Sequence, residues 1–391
     1  INRLLKVTPL TGGGVKVELD IPVKGGRNIP FSKIYNHEDI EKLELHLAIF
    51  PFIKVEDFPI KYNVGVIDGD IEKNNRNEIH ISLYKLGKKI DSSPLTTRSH
   101  GGNKIKSGYL SANKYFDSIQ LTFNNSNCFI IPKMPAYKPG AATYNFAIDF
   151  GTTNTHIEYN KDGETQQPLS NGMSNNIWAS LLDKNAKVDR LYVLNEAAFE
   201  QEIIPHTIGD NDLSFPLRTA LVENKDIDYN QERELFKHLN NFFLYEKQSI
   251  QSHLELVTAL KWSNYSNSED KKRVESYIEF LLTIVFYKVL LSNGKLDRTK
   301  ITWFYPISMT SFQQGVIEAS WVKSYKKVFG EFADLNNLTK MAESIAPFFY
   351  YHNKKSVLGL SVSIDIGGGS SDISIFDNGH AKTISSFRFS G

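Results

Sequence analysis

The sequence predicts an α/β fold preceded by an all-β N-terminal region, and three observations lead to this prediction. Residues 14–134 alternate polar and apolar positions with the period of a β-strand. Residues 268–329 contain two long stretches with helical periodicity, separated by a short strand pattern. Two widely separated segments, 144–159 and 360–376, repeat one strand–turn–strand pattern. Strands that alternate with helices are typical of α/β domains.

Length and composition are those of a globular protein with more than one domain. The chain has 391 residues, of which 41% are hydrophobic and 23% charged. Its formal net charge of +1 gives no electrostatic reason to expect a nucleic-acid or anionic-membrane partner. The single cysteine, Cys128, excludes an intrachain disulfide and a thiolate zinc cage and is expected in a buried strand. Since no apolar run reaches eighteen residues, we expect no membrane span and a cytoplasmic location.

The N-terminal part is expected to be a β-sandwich or small barrel. Its strand patterns are spaced by Gly, Asn and Asp turns, and only residues 37–42 suggest a short helix. Pro132, Pro135 and Pro139 mark a connector in which a strand ladder cannot continue. We therefore expect a β-rich domain of unknown role over residues 1–140.

The part that follows has the pattern of an α/β domain, expected over residues 141–359. A helix is predicted from Ser268, as its N-cap, to Ser292. A strand is predicted over 300–305 and a second helix over 311–329. The lone histidines, such as His156, His206 and His253, have no metal-ligand spacing and are expected to be ordinary surface or core residues.

The first strand–turn–strand segment combines one carboxylate with a turn suited to phosphate. Asp149 ends the strand, and Gly151, Thr152, Thr153 and Asn154 follow it. Such a turn directs backbone N–H groups and hydroxyls at the strand tip. We expect it to contact phosphate oxygens while Asp149 holds Mg²⁺, through water.

The second segment repeats this design with a more open turn after its carboxylate, Asp365. Its glycines remove every Cβ from the approach of a phosphate, and its serines supply hydroxyls. A lone hairpin of this kind is equally well a tight β-turn, but two matched copies favour a phosphate clamp with a metal ion between two carboxylates. The turn residues are Gly367, Gly368, Gly369, Ser370 and Ser371.

At these residues the sequence resembles the ATPase superfamily of actin, DnaK-type heat-shock chaperones and sugar kinases. The two motifs are IDFGTTNTHIEY, residues 148–159, and IDIGGGSSDISIF, residues 364–376. The first is most similar to the chaperone branch. The resemblance implies ribonuclease H-like lobes with ATP or ADP and Mg²⁺ between them, Asp149 and Asp365 around the metal, and nucleotide-driven lobe closure.

Two other functions stay open beside a chaperone-like ATPase. The second motif is also very similar to that of exopolyphosphatases, which implies phosphotransfer or polyphosphate cleavage. A nucleotide-gated actin-like scaffold without turnover is the non-enzymatic alternative. A protein client is expected to bind the β-domain or a C-terminal region, and a specialised bacterial chaperone-like protein fits the domain order.

The resemblance covers residues 144–391, with weaker echoes at 176–180, 195–198 and 301–306. Members of the superfamily continue well beyond the second motif. Residues 360–391 are therefore expected to begin a second lobe that is incomplete in this chain, with an unpaired sheet edge and exposed apolar surface.

Two further site residues are carried over from the resemblance. Glu343 occupies the position of a residue that orients the attacking water, although the proline that directly follows it in chaperones comes later here, at Pro347. Its alternative role is a solvated carboxylate at a helix N-terminus. Arg218 is the candidate replacement for a chaperone lysine that reaches the γ-phosphate, and a plain surface arginine is its alternative.

Overall fold

The computed structural model describes eleven stretches of the chain. The strands and helices within these stretches position the candidate site. The described residues are 4–39, 45–68, 80–99, 106–123, 126–169, 179–180, 215–224, 239–241, 254–355, 359–378 and 380–388.

The strands, in chain order, are β1 (Leu5–Pro9), β2 (Val15–Val23), β3 (Arg27–Tyr35), β4 (Leu45–Phe50), β5 (Tyr62–Asp68), β6 (His80–Lys85), β7 (Lys88–Lys89), β8 (Thr96–Ser99), β9 (Lys106–Ala112), β10 (Ser118–Phe123), β11 (Ser126–Ile130), β12 (Tyr144–Phe150), β13 (Asn154–Lys161), β14 (Gln167–Pro168), β15 (Ala179–Ser180), β16 (Leu217–Arg218), β17 (Ala220–Asn224), β18 (Leu239–Asn241), β19 (Leu254–Thr258), β20 (Lys300–Tyr305), β21 (Leu338–Ala342), β22 (Leu360–Ile366), β23 (Ser371–Asp377) and β24 (His380–Phe387). The α-helices are α1 (Ser268–Leu291), α2 (Ser311–Phe329) and α3 (Ala346–Lys355), and the two 3-10 turns at the candidate site are Leu260–Trp262 and Glu343–Ile345.

The described strands of the N-terminal region lie in three sheets, one of which also contains β15 from later in the chain. One is the antiparallel sheet β1-β2-β3, and the other two have the orders β15-β4-β5-β9-β8 and β11-β10-β6-β7. Buried side chains of the latter two, such as Val64 and Leu83, belong to a hydrophobic core that also includes side chains of β12 and α1, and the β-sandwich stays a prediction. The helix suggested over 37–42 is a 3-10 turn of three residues, His37–Asp39, in the part that is described. Cys128 lies half-buried on β11, and burial raises the pKa of its thiol.

The N-terminal region and the helices share a packed boundary. Asn63 donates from Nδ2 to the hydroxyl of Tyr287 on α1 at 3.3 Å, and that hydroxyl donates to the carbonyl of Lys61 at 3.1 Å. The ring of Phe58 meets the ring of Phe332, after α2, edge to face at 4.7 Å. A boundary between domains near residue 140 stays a prediction, and the packing shows that the segments on its two sides are in direct contact.

A mixed sheet in the order β14-β13-β12-β20-β21 positions the candidate site. β12 and β13 are antiparallel, whereas β12, β20 and β21 run parallel to one another. The carboxyl ends of parallel strands meet at one edge of a sheet, which is where side chains for ligand binding collect. Asp149 and Glu343 follow this rule, since Asp149 lies at the end of β12 and Glu343 directly follows β21.

Helices α1 and α2 cover this sheet. α1 is buried along most of its length, as its wide apolar stripe predicts, and Tyr277 on it stacks on Phe150 of β12 at 5.5 Å. α2 begins with a capping box between Thr310 and Gln313 and packs Trp321 on Trp303 of β20 at 5.3 Å. The predicted bounds of both helices are close to those observed.

One predicted cap is wrong. Asn267, and not Ser268, caps α1, because its side-chain oxygen accepts a hydrogen bond from the backbone N–H of Glu269 at 2.8 Å. Ser268 is the first helical residue. Both residue types cap helices well, so the sequence alone did not separate them. Among the described helices, none is long and apolar enough to cross a membrane.

Two small sheets complete the described structure. β18-β17-β19 is joined to α1 by a buried ion pair between Glu223 and Arg273. The order β22-β23-β24 is antiparallel, with β22 at an edge. The predicted weak echoes at 176–178 and 195–198 lie outside the described residues.

Candidate active site

The first turn is held in place by a buried chain of hydroxyl groups. The hydroxyl of Tyr277 donates to Thr155 Oγ1 at 2.8 Å, and Thr155 Oγ1 lies 2.8 Å from Thr219 Oγ1. The backbone N–H of Thr219 donates to the carbonyl of Thr153 at 3.0 Å. Gly151 is required by close approach, since a Cβ there would overlap the backbone carbonyl of Asn154. The turn that carries Thr152 and Thr153 is therefore rigidly supported.

The second turn is closed by its own backbone. The N–H of Gly367 donates to the carbonyl of Ser370 at 2.9 Å. Ser370 and Ser371 are buried, and the hydroxyl of Ser370 donates to Asp372 Oδ2 at 3.3 Å. The serine hydroxyl predicted to face phosphate is thus engaged within the hairpin in this conformation.

The two turns face each other in direct contact. A Cβ on Gly368 would overlap the side chain of Thr153, and one on Gly369 would overlap Thr152. Glycine is needed at both positions for the turns to approach this closely. The structure therefore brings together the two segments that the repeated pattern singled out.

Carboxylates from three segments surround one lysine at this place. Lys261, in the 3-10 turn before α1, is buried and forms an ion pair with Glu343 Oε1. Burial raises the pKa of Asp149 and of Asp372, and the positive charge of Lys261 opposes this rise. The negative charge of Asp365 adds to the rise in the pKa of Asp149 and of Asp372, because a like charge nearby disfavours ionisation.

Burial dominates the titration of these groups. Desolvation raises the pKa of Glu343 to about 7, with Lys261 opposing the shift and Asp149 adding to it. Asp149 is exposed at the surface, yet the protein atoms around it desolvate its carboxylate enough to raise its pKa. Asp372 is buried, and burial raises its pKa too. Acids with raised pKa values that converge in one place are characteristic of functional sites.

Lys261 and Asp372 are the site residues that the sequence did not suggest. Asp372 is the register partner of Asp365, in the place that His156 occupies opposite Asp149 in the first copy. Because the two copies carry different residues at this position, the repeated pattern gave no signal for Asp372. Lys261 belongs to no motif, and its only signal is its position between two apolar residues just before a helix.

Arg218 lies beside the first turn. It pairs with Asn154 across β16 and β13, and its guanidinium lies 3.4 Å from the carbonyl of Thr153. The lysine that pairs with a carboxylate of the site is Lys261, and the γ-phosphate role of Arg218 stays a prediction. Glu343 opens a 3-10 turn before α3 but is mostly buried and ion-paired, unlike a solvated cap.

The donor set fits a magnesium ion that arrives with a ligand. Within the described residues, no group of three or more His, Cys, Asp or Glu side chains is arranged to hold a metal ion. Mg²⁺ usually takes only one or two protein carboxylates and completes its shell with water and phosphate oxygens. Asp149 and Asp365 supply such carboxylates beside the two turns.

Comparisons with known proteins give similarities between parts of chains. No protein-family model and no curated protein matches this sequence. MreB5 of Spiroplasma citri, solved with ADP, is similar over 63% of this chain and 53% of its own, with a TM-score of 0.35 and 12% identity. An exopolyphosphatase from Cytophaga hutchinsonii is similar over 63% and 51%, with a TM-score of 0.26 and 12% identity. A Ppx/GppA phosphatase from Aquifex aeolicus is similar over 63% of this chain and 53% of its own, with a TM-score of 0.27 and 7% identity. This chain spans about half the length of each of these structures.

Proposed function

We propose that this chain carries an Mg-nucleotide site of the actin-like ATPase kind, and that the protein hydrolyses ATP there. The observation that carries the proposal is the convergence of two phosphate-type turns with Asp149, Glu343, Asp365 and Lys261. These groups come from separate segments of the chain and meet at the carboxyl edge of the mixed sheet. The main requirement of phosphoryl transfer is that the negative charge on the transferred phosphoryl group is stabilised.

Each residue has a distinct task in this proposal. Backbone N–H groups and hydroxyls of the two turns would bind phosphate oxygens, and Asp149 and Asp365 would hold Mg²⁺. The metal would neutralise charge at the phosphate. Glu343 accepts a proton from the attacking water, for which a pKa of about 7 is well placed. Lys261 balances the negative charge and orients Glu343. A bound ligand would push the two touching turns apart, and this would begin the movement of the two lobes.

Cleavage of a longer phosphate chain is the second candidate. All the residues assigned above would contact phosphate oxygens, metal or water, and none of these assigned residues would contact a base or a sugar. The second motif, IDIGGGSSD, is also the one that resembles exopolyphosphatases. Phosphate release from ATP and from polyphosphate, measured side by side, separates the two substrates.

The test is binding and turnover of Mg-ATP by wild type and Glu343→Gln. Loss of the proton acceptor should reduce turnover about 100-fold or more while nucleotide binding is retained. Glu318→Gln, at an exposed ion pair with Lys340, is the control and should keep both. Binding without turnover in the wild type would favour a nucleotide-gated scaffold. Absence of Mg-ATP binding would overturn the nucleotide proposal, and a chaperone role would need client binding in addition.

A further inference from the structure

Trp262 is a side chain that meets elements from both halves of the site. Its indole Nε1 donates to Thr152 Oγ1 at 2.8 Å in the first turn. In the second turn, a Cβ on Gly369 would lie 2.5 Å from the same Nε1. The guanidinium of Arg388, just after β24, lies 4.5 Å from the centroid of the indole ring. Trp262 also directly follows Lys261, the partner of Glu343.

The direction of the Thr152 hydrogen bond follows from chemistry. An indole N–H can only donate, whereas a threonine hydroxyl has one proton and two lone pairs. When Trp262 donates to Thr152, it occupies a lone pair and leaves the hydroxyl proton to be donated to another acceptor. At the tip of the first turn, the acceptor in the proposed site is a phosphate oxygen.

We propose that Trp262 is a positioning residue that fixes Thr152 as a hydrogen-bond donor to the bound phosphate. This inference rests on the proposed function. The contact with Arg388 holds the ring by a cation–π interaction, so the end of β24 helps to set the orientation of a hydroxyl in the first turn. Trp262 acts only through Thr152 and does not touch the reacting atoms.

A double-mutant cycle tests this on the full chain, with Mg-ADP binding measured by calorimetry. Trp262→Phe keeps a ring beneath Arg388 and removes the donor, so we expect about fivefold weaker binding. Thr152→Val removes the hydroxyl and should weaken binding at least as much. Because Trp262 acts through Thr152, the double variant should bind no more weakly than Thr152→Val alone. Thr152→Ser keeps the hydroxyl and should retain the effect of Trp262→Phe.

Controls separate this role from a general loss of structure. Trp303→Phe changes a core tryptophan that stacks on Trp321 and should leave the Kd unchanged. Arg388→Gln leaves the indole donor in place and should weaken binding only about twofold. Additive losses in the double variant, or an unchanged Kd in Trp262→Phe, would overturn the inference while leaving the nucleotide proposal intact. A wild type that does not bind Mg-ADP would overturn both.

Discussion

The two copies of the strand–turn–strand pattern have the same internal register but different surroundings. In the first, Ile148 pairs with Ile157, and in the second, Ile364 pairs with Ile373. The four large apolar side chains of β12 are at most 4% exposed, whereas the four of β22 are 58% to 73% exposed. The compared residues are Tyr144, Phe146, Ile148 and Phe150 in the first copy and Leu360, Val362, Ile364 and Ile366 in the second.

The difference comes from what the rest of the chain places beside each hairpin. β12 has the parallel strand β20 on its second edge and α1 on its face. In the part of the chain that the structure describes, β22 has a partner on one edge only. The local pattern thus specifies a hairpin, while the burial of its apolar face depends on distant segments.

The largest expected effect is on stability at the equivalent isoleucines. Ile148→Ala should lower the free energy of unfolding by about 2–5 kcal/mol, because it leaves a cavity in a closed core. Ile364→Ala removes the same atoms from an exposed face and should cost less than about 0.5 kcal/mol. Urea denaturation of both variants measures the contrast. An equal loss in the two would mean that the β22 face is covered in solution.

The second effect is a pH dependence on the buried side of the site. Glu343 has a folded-state pKa of about 7 against an ordinary value of 4.5, so its contribution to stability is complete below pH 4.5 and is lost as the pH rises through about 7. Relative to Glu343→Gln, the wild type should lose up to about 3 kcal/mol over this range. Asp149 and Asp372 are present in both proteins, so their contributions to the pH dependence largely cancel from the difference in the free energy of unfolding. Urea denaturation at a series of pH values checks it, and a constant difference from pH 4 to pH 8 would refute it.

The smallest effect compares the first glycine of each turn. A Cβ at Gly151 would overlap the carbonyl of Asn154, whereas one at Gly367 would lie 3.2 Å from the carbonyl of Ser370. Gly151→Ala should therefore cost about 1–3 kcal/mol. Gly367→Ala should cost less than about 1 kcal/mol, because a shift of a few tenths of an ångström relieves the contact. Thermal unfolding of the two variants ranks them, and the reverse order would contradict the difference in turn geometry.

Local patterns in the sequence predicted much of the fold. The strand at 300–305, the helix at 311–329 and the shared register of the two hairpins depend on periodicity and on residues close in sequence, and the structure agrees with them.

The site was predicted less completely because part of it depends on contacts between distant segments. Lys261 reaches Glu343 only because β19 leads into a turn beside the carboxyl end of β21, and no local signal encodes that meeting. Trp262 is hidden for the same reason. Asp149, Asp365 and the two turns were visible because they belong to a strand–turn–strand unit that recurs, whereas Glu343 was suggested by the family resemblance. The domain boundaries, the metal-binding role of Asp149 and Asp365, and the chaperone branch stay predictions.

The contact of Tyr287 with Asn63 and Lys61 matters for any attempt to divide the protein. α1 is the helix that supports the first turn, through Tyr277, and its far end is sealed by the N-terminal strands. A shortened protein that begins near residue 140 would uncover the ring of Phe332 and leave the hydroxyl of Tyr287 without Asn63. The N-terminal region therefore helps to support the candidate site through α1, and a functional fragment should not begin near residue 140.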